Sequence, residues 1–212
     1  DGVSLGQKRM KVESQSSNPD RSKFKENLSW AINGVQFITV HIVGSNDNKT
    51  GEAEMDAEQA ERQAANIEWL KLNFDKAKRE DAKGIVIMTH ANVGFENFWP
   101  EYARQNYFGP FVGREKPPEV PSGVYKTYVD ALIDLMESYS RPVAFLHGDT
   151  HLHRIDKPLY SAKTGVLFTN FTRVETFGYP DTHWVRAFVN PDDPVLFTFK
   201  AEIVSQNLKS SR

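Results

Sequence analysis

The chain has 212 residues, no cysteine and a formal net charge of -2 at pH 7, so it reads as one domain with at most short appendages. The absence of cysteine excludes disulfides and thiolate metal sites in any compartment. A nearly balanced charge offers no electrostatic footprint for nucleic acid, and no apolar run approaches the length needed to span a membrane.

Hydrophobic residues make up 39%, with 14 Phe and 4 Trp, which argues for a packed core rather than disorder. Residues 1–34 read as a polar, irregular N-terminal segment, with Ser16–Ser17–Asn18–Pro19–Asp20 as a turn cluster. The first residue is Asp1 rather than Met, and no charged-then-apolar signal pattern follows it. The run Val35–Val43 is β-branched and aromatic, predicting a buried strand that stops at the loop Gly44–Ser45–Asn46–Asp47–Asn48.

From Asp56 to Arg79 the period changes. Ala60, Ala64, Ile67, Leu70, Phe74 and Ala77 recur at three and four, one face of a helix. Its acidic start (Asp56, Glu58, Glu61) and basic end (Lys76, Lys78, Arg79) match the helix dipole. Ile85–Met88 is a second strand running into Thr89–His90–Ala91–Asn92, followed by a long aromatic-rich connection over 91–121. Ser122 opens a second helix with Tyr125, Val129, Leu132, Met136 and Tyr139 on one face, and a third strand follows at 143–146. After Pro158 the runs 166–171, 184–189 and 195–199 read as antiparallel strands. The middle of the chain thus alternates strand and helix, which predicts an α/β fold with βαβ units and a locally parallel sheet. The domain is expected over 35–205, with 206–212 as a tail.

Functional residues are expected where such strands end. His90 leaves one strand end, and His147–Gly148–Asp149–Thr150–His151 leaves another. Asp149 and His151 are two residues apart, so an imidazole and a carboxylate can converge on a divalent ion of the Zn, Mn or Fe kind. His41, inside the first predicted strand, reads as a hydrogen-bonded core residue.

Met88–Thr89–His90 followed by Gly148–Asp149–Thr150–His151 resembles the rear half of the calcineurin-like metallophosphoesterase pattern. His147–His151 and Arg154–Ile155–Asp156–Lys157–Pro158–Leu159 look like a bacterial subgroup whose last motif has the form His-Gly-Asp-x-His. Glu26–Trp30 and Gly44–Asn46 extend that likeness. The resemblance implies a two-sheet sandwich flanked by helices, of which this chain is the C-terminal part. It implies that His90 and Asp149 ligand one metal and His151 another, with no catalytic group identified. It also implies that His147, Asn92, Arg154 and Asp156 touch the ligands or the substrate, an ion pair that pins the turn being the alternative for Arg154 and Asp156. Asp149 stands where most members carry His, and a carboxylate there hardens the site toward Mn, Mg or Ca over Zn. Mn, Fe, Zn and Mg all remain candidates.

The expected chemistry is phosphomonoester or phosphodiester hydrolysis by a metal-bound hydroxide, on a small phosphoester substrate, with neither nucleic acid nor membrane as partner. The Asp-x-His, Gly-Asp and Gly-Asn-His-Asp motifs of the family are not in this chain, so it is expected to act incompletely alone, and to self-associate or pair with an N-terminal segment. A degenerate, non-catalytic binding module on the same scaffold is the alternative. The resemblance is compatible with a secreted or periplasmic bacterial protein but fixes no compartment.

Overall fold

A computed structural model describes residue 4 and residues 7–103 and 123–208. Its centre is a seven-stranded mixed sheet in the order β1-β2-β3-β4-β5-β7-β6, with a separate two-stranded sheet β8-β9. The strands are β1 (Glu13–Ser14), β2 (Leu28–Ile32), β3 (Val35–Thr39), β4 (Gly84–Met88), β5 (Val143–His147), β6 (Arg154–Asp156), β7 (Phe171–Glu175), β8 (Trp184–Val189) and β9 (Phe197–Glu202). The two long helices are α1 (Ala53–Arg79) and α2 (Lys126–Met136). The protein is therefore mixed α/β with two sheets. Neither helix, nor any other described one, is long and apolar enough to cross a membrane.

Strands β3, β4, β5 and β7 run parallel to one another. The helices connecting the first three lie on one face, as crossovers between parallel strands require. Alternation along each strand divides the apolar side chains between two faces. Ile38, Ile85, Ile87, Val143, Phe145 and Phe171 form one cluster with Leu70 and Phe74 of α1 and Val129 and Leu132 of α2. On the opposite face Val35, Val86 and Ala144 pack beneath Leu196 and Phe197, beside β9. Farther along that face Phe37, Met88 and Leu146 are only half covered.

Several expectations need correction. Residues 28–32 are not irregular: β2 pairs antiparallel with β3 through the Asn33–Gly34 turn, and Trp30 stacks on Phe37. The first parallel strand ends at Thr39, and Val40–Val43 continue as an extended loop. Of the three late runs, 184–189 and 195–199 fall on β8 and β9, which pair antiparallel, but 166–171 holds only an isolated bridge at Leu167 and meets strand at Phe171, where β7 begins parallel to β5. The three-residue β6 returns along the outer edge, so β7 fills the position beside β5. Apolar content marks a strand but not the direction of its neighbour. In α1, Ala60 and Ala64 are exposed, whereas Gln59, Arg62, Asn66 and Asn73 are buried. That helix thus buries a polar stripe that periodicity of apolar residues cannot reveal. Ser122, Tyr107, Phe108 and Phe111 lie outside the described residues.

Candidate functional site

Three parallel strands deliver their C-terminal ends to one edge of the sheet, and their loops stay laced together beyond the strands proper. Val40 N–H donates to the Met88 carbonyl at 2.9 Å, and Ala91 N–H to Ile42 at 3.2 Å. Thr89 N–H donates to Leu146 at 3.0 Å, and Gly148 N–H to His90 at 3.1 Å. This lacing sets His41, His90 and Asp149 side by side along a cleft of about 540 Å³, which Gly44, Asn48, Glu58 and Arg62 also line. The crevice beyond the carboxyl ends of parallel strands is the usual place for a ligand.

The Asp149 carboxylate is held on two sides. Its Oδ2 accepts the Asn92 N–H at 3.1 Å. Its Oδ1 faces Gly44, where an added Cβ would come within 2.9 Å. Any larger residue at position 44 would displace the carboxylate, so the close approach explains the glycine. Gly44 opens a short helical turn, Gly44–Asp47, that is left-handed within: Ser45, Asn46, Asp47 and Asn48 have φ of 54°, 61°, 54° and 63°. Left-handed geometry costs roughly 1–2 kcal/mol per non-glycine residue, so something must hold this turn. That support is Asp47, a fully buried carboxylate. Its Oδ1 meets Arg62 Nη1 at 2.6 Å, and its Oδ2 accepts from Gln59 Nε2 and Tyr128 Oη, each at 3.0 Å. Burial opposes the Arg62 charge, but Glu58 and Asp47 outweigh it and hold its pKa above the usual value. Burial and the Asp47 charge push the Tyr128 hydroxyl up, so it stays protonated as a donor. Tyr125 completes the lock, accepting from Asp47 N–H at 2.9 Å and donating to the Val43 carbonyl at 2.8 Å.

The 147–151 turn rests on a second buried polar cluster. His147 is 2% exposed, and its Nδ1–H donates to the Gly148 carbonyl at 2.9 Å. Burial lowers its pKa, which keeps the ring neutral, and its Nε2 makes no hydrogen bond, with Glu175 Oε2 3.9 Å away. Arg154 bridges Glu96 and Glu175, at 2.6 and 2.7 Å. Arg173, fully buried, pairs with Glu96 at 2.7 Å and with Asp156. Burial alone would raise the Glu96 carboxyl, but Arg173, with Arg154 behind it, outweighs that and holds it below the ordinary carboxylate range. Arg154 and Asp156 are thus ion-paired to other strands and loops.

His151 departs from expectation. It shares the sheet edge with His90, yet its ring turns away, with Nδ1–H donating to the Tyr179 carbonyl at 2.6 Å. The ring also lies against Gly178, where an added Cβ would come within 2.4 Å of it. The immediate cause is backbone geometry: Asp149 and His151 both have positive φ, 85° and 65°. Two left-handed residues flanking Thr150 swing the side chains apart, whereas an extended segment would have set them on one face. Among the described residues no three His, Asp or Glu side chains gather closely enough to hold a metal ion. His90 and Asp149 share the cleft; His151 does not join them.

His41 is the residue that sequence reasoning undervalued. It sits past the end of β3, half-buried, with its backbone N–H on Asn27 Oδ1 at 2.9 Å and its carbonyl accepting from Asn66 at 2.8 Å. Its position after a parallel strand, matching His90, was the available signal; extending the strand to 43 concealed it. Comparison of the chain with family models, with curated proteins and with solved structures finds no match.

Proposed function

We propose that the cleft beside His90 and Asp149 binds a divalent cation together with a phosphoester, as part of a hydrolytic site of the metallophosphoesterase kind. The observation that supports this reading most directly is the shared cleft of a carboxylate and an imidazole at the ends of adjacent parallel strands. One carboxylate and one imidazole fit a single hard ion whose remaining positions go to water and phosphate oxygens, a pattern typical of Mg and Mn. They do not fit a two-metal centre. When bound, such an ion would polarise a phosphoryl oxygen and acidify water. The chain's own part is to hold Asp149 between Gly44 and Asn92 and to keep His90 at the cleft mouth. His41 stands beside them as a group able to donate to a phosphate oxygen.

The second reading, a binding module without turnover, is favoured by the position of His151, which leaves only two of the three expected donors together. Titration of the full chain with Mn separates these readings. One site of modest affinity, lost in Asp149→Ala and weakened in Gly44→Ala, supports the cation site; no binding by the wild type removes it. Hydrolysis of an aryl phosphodiester that depends on Mn and on Asp149 would favour the enzyme, and binding without turnover the module.

A further inference from the structure

Glu175 lies on β7 directly opposite His147 on β5 and is fully buried. A buried carboxylate at this depth must have its oxygens satisfied, and its partners are divided in a telling way. Oε2 accepts from Arg154 Nε at 2.7 Å. Oε1 takes both donors of Thr150, the backbone N–H at 3.2 Å and the hydroxyl. Thr150 is itself exposed, so packing does not hold it. The residues on either side of it, Asp149 and His151, are the two left-handed ones. Whatever fixes Thr150 therefore fixes the direction in which Asp149 projects. A single buried oxygen gripping two donors of one residue restrains that residue more closely than one bond would.

We infer that Glu175 is a positioning residue for Asp149: by gripping Thr150 it keeps the carboxylate aimed into the cleft and onto the Asn92 N–H. The functional sense of this rests on the reading of Asp149 as a cation ligand, but the positioning itself does not. Glu96 supplies the contrast. It belongs to the same ion-pair cluster, touching Arg154 and Arg173, yet among the described residues it makes no hydrogen bond or ion pair with the 148–151 turn. If Glu175 served only the stability of the cluster, neutralising either glutamate would have equivalent consequences at Asp149.

The test uses the full chain with three variants, Glu175→Gln, Glu96→Gln and Thr150→Val, and three measurements. These are the Asn92 amide resonance in the metal-free protein, the melting temperature, and affinity for Mn alone. Glu175→Gln and Thr150→Val are expected to move the Asn92 resonance and to weaken Mn by about 10–100-fold, the range typical for a group that orients a ligand. Glu96→Gln is expected to lower the melting temperature while leaving both the resonance and the Mn affinity in place. Thr150→Val, at an exposed position, keeps the test valid should Glu175→Gln fail to fold. An Asn92 resonance unmoved by Thr150→Val, or moved as far by Glu96→Gln, overturns the inference. If the wild type binds no Mn, the proposed function fails by itself, and the Asn92 resonance still decides whether Glu175 positions Asp149.

Discussion

Two buried polar clusters flank the cleft, and they are built differently. The one around Asp47 has a single carboxylate at its centre, with Arg62, Gln59 and Tyr128 closing on it. The one around Glu175 and Arg173 strings together three carboxylates and two guanidinium groups, and leaves His147 Nε2 and Arg173 Nη1 without a hydrogen bond. Each cluster secures a stretch of left-handed backbone, at 45–48 in the first and at 149 and 151 in the second. Strained backbone persists only where its surroundings over-determine it. The comparison teaches that the cleft owes its shape to two separate anchors, one fully satisfied and one with slack.

The largest effect should come from removing the closed anchor. Asp47→Ala leaves the buried Arg62 with Glu58 as its one remaining carboxylate, beside the His41 and Asp47 backbone carbonyls, and loss of one partner of a buried pair costs about 3–5 kcal/mol. Urea unfolding should show that loss as a lower midpoint at unchanged slope. A loss under about 1 kcal/mol would mean that the left-handed turn does not depend on Asp47.

A smaller effect should come from acid acting on the open anchor. The Glu96 pKa is lowered in the folded protein from an ordinary value of 4.5. A carboxyl whose folded pKa is depressed contributes stability above its unfolded pKa and loses it as pH falls through the folded value. Unfolding free energies measured from about pH 6 down to about pH 3 should therefore decline below about 4.5, and less steeply in Glu96→Gln. Parallel curves for the two proteins would remove Glu96 as a source of acid sensitivity.

The smallest expected change is a gain. Ser45 is exposed and left-handed at φ 54°, so Ser45→Gly relieves steric cost and should stabilise by up to about 1 kcal/mol. Destabilisation instead would show that the Ser45 side chain contributes a contact that outweighs the strain.

Much of the scaffold was legible because it follows from periodicity. Ile85–Met88 and Val143–His147 are short apolar runs bounded by turn residues, and they form adjacent parallel strands as the alternation with helices requires. The placement of His90 and Asp149 at one sheet edge follows from that alone. Illegible were the elements that depend on polar groups finding each other across the chain. Nothing local to Asp47 tells that it is buried, because its partners are 12, 15 and 81 residues away. Glu175 reaches Thr150 across 25 residues. Arg62 and Asn66 fall outside the apolar face read from the sequence, and their burial depends on partners met across the chain.

Local sequence was enough for the two long helices and for the apolar parallel strands β3, β4 and β5, since backbone propensity and apolar period act over a few neighbouring residues. It also determined that His and Asp would gather where parallel strands end. The tertiary structure alone decided which of those side chains converge. Direction is set by φ at single residues, and here two positive angles send Asp149 into the cleft and His151 toward Tyr179. Those angles are held by carboxylates buried elsewhere in the chain, so the aim of a side chain in the 149–151 turn is a property of the whole fold.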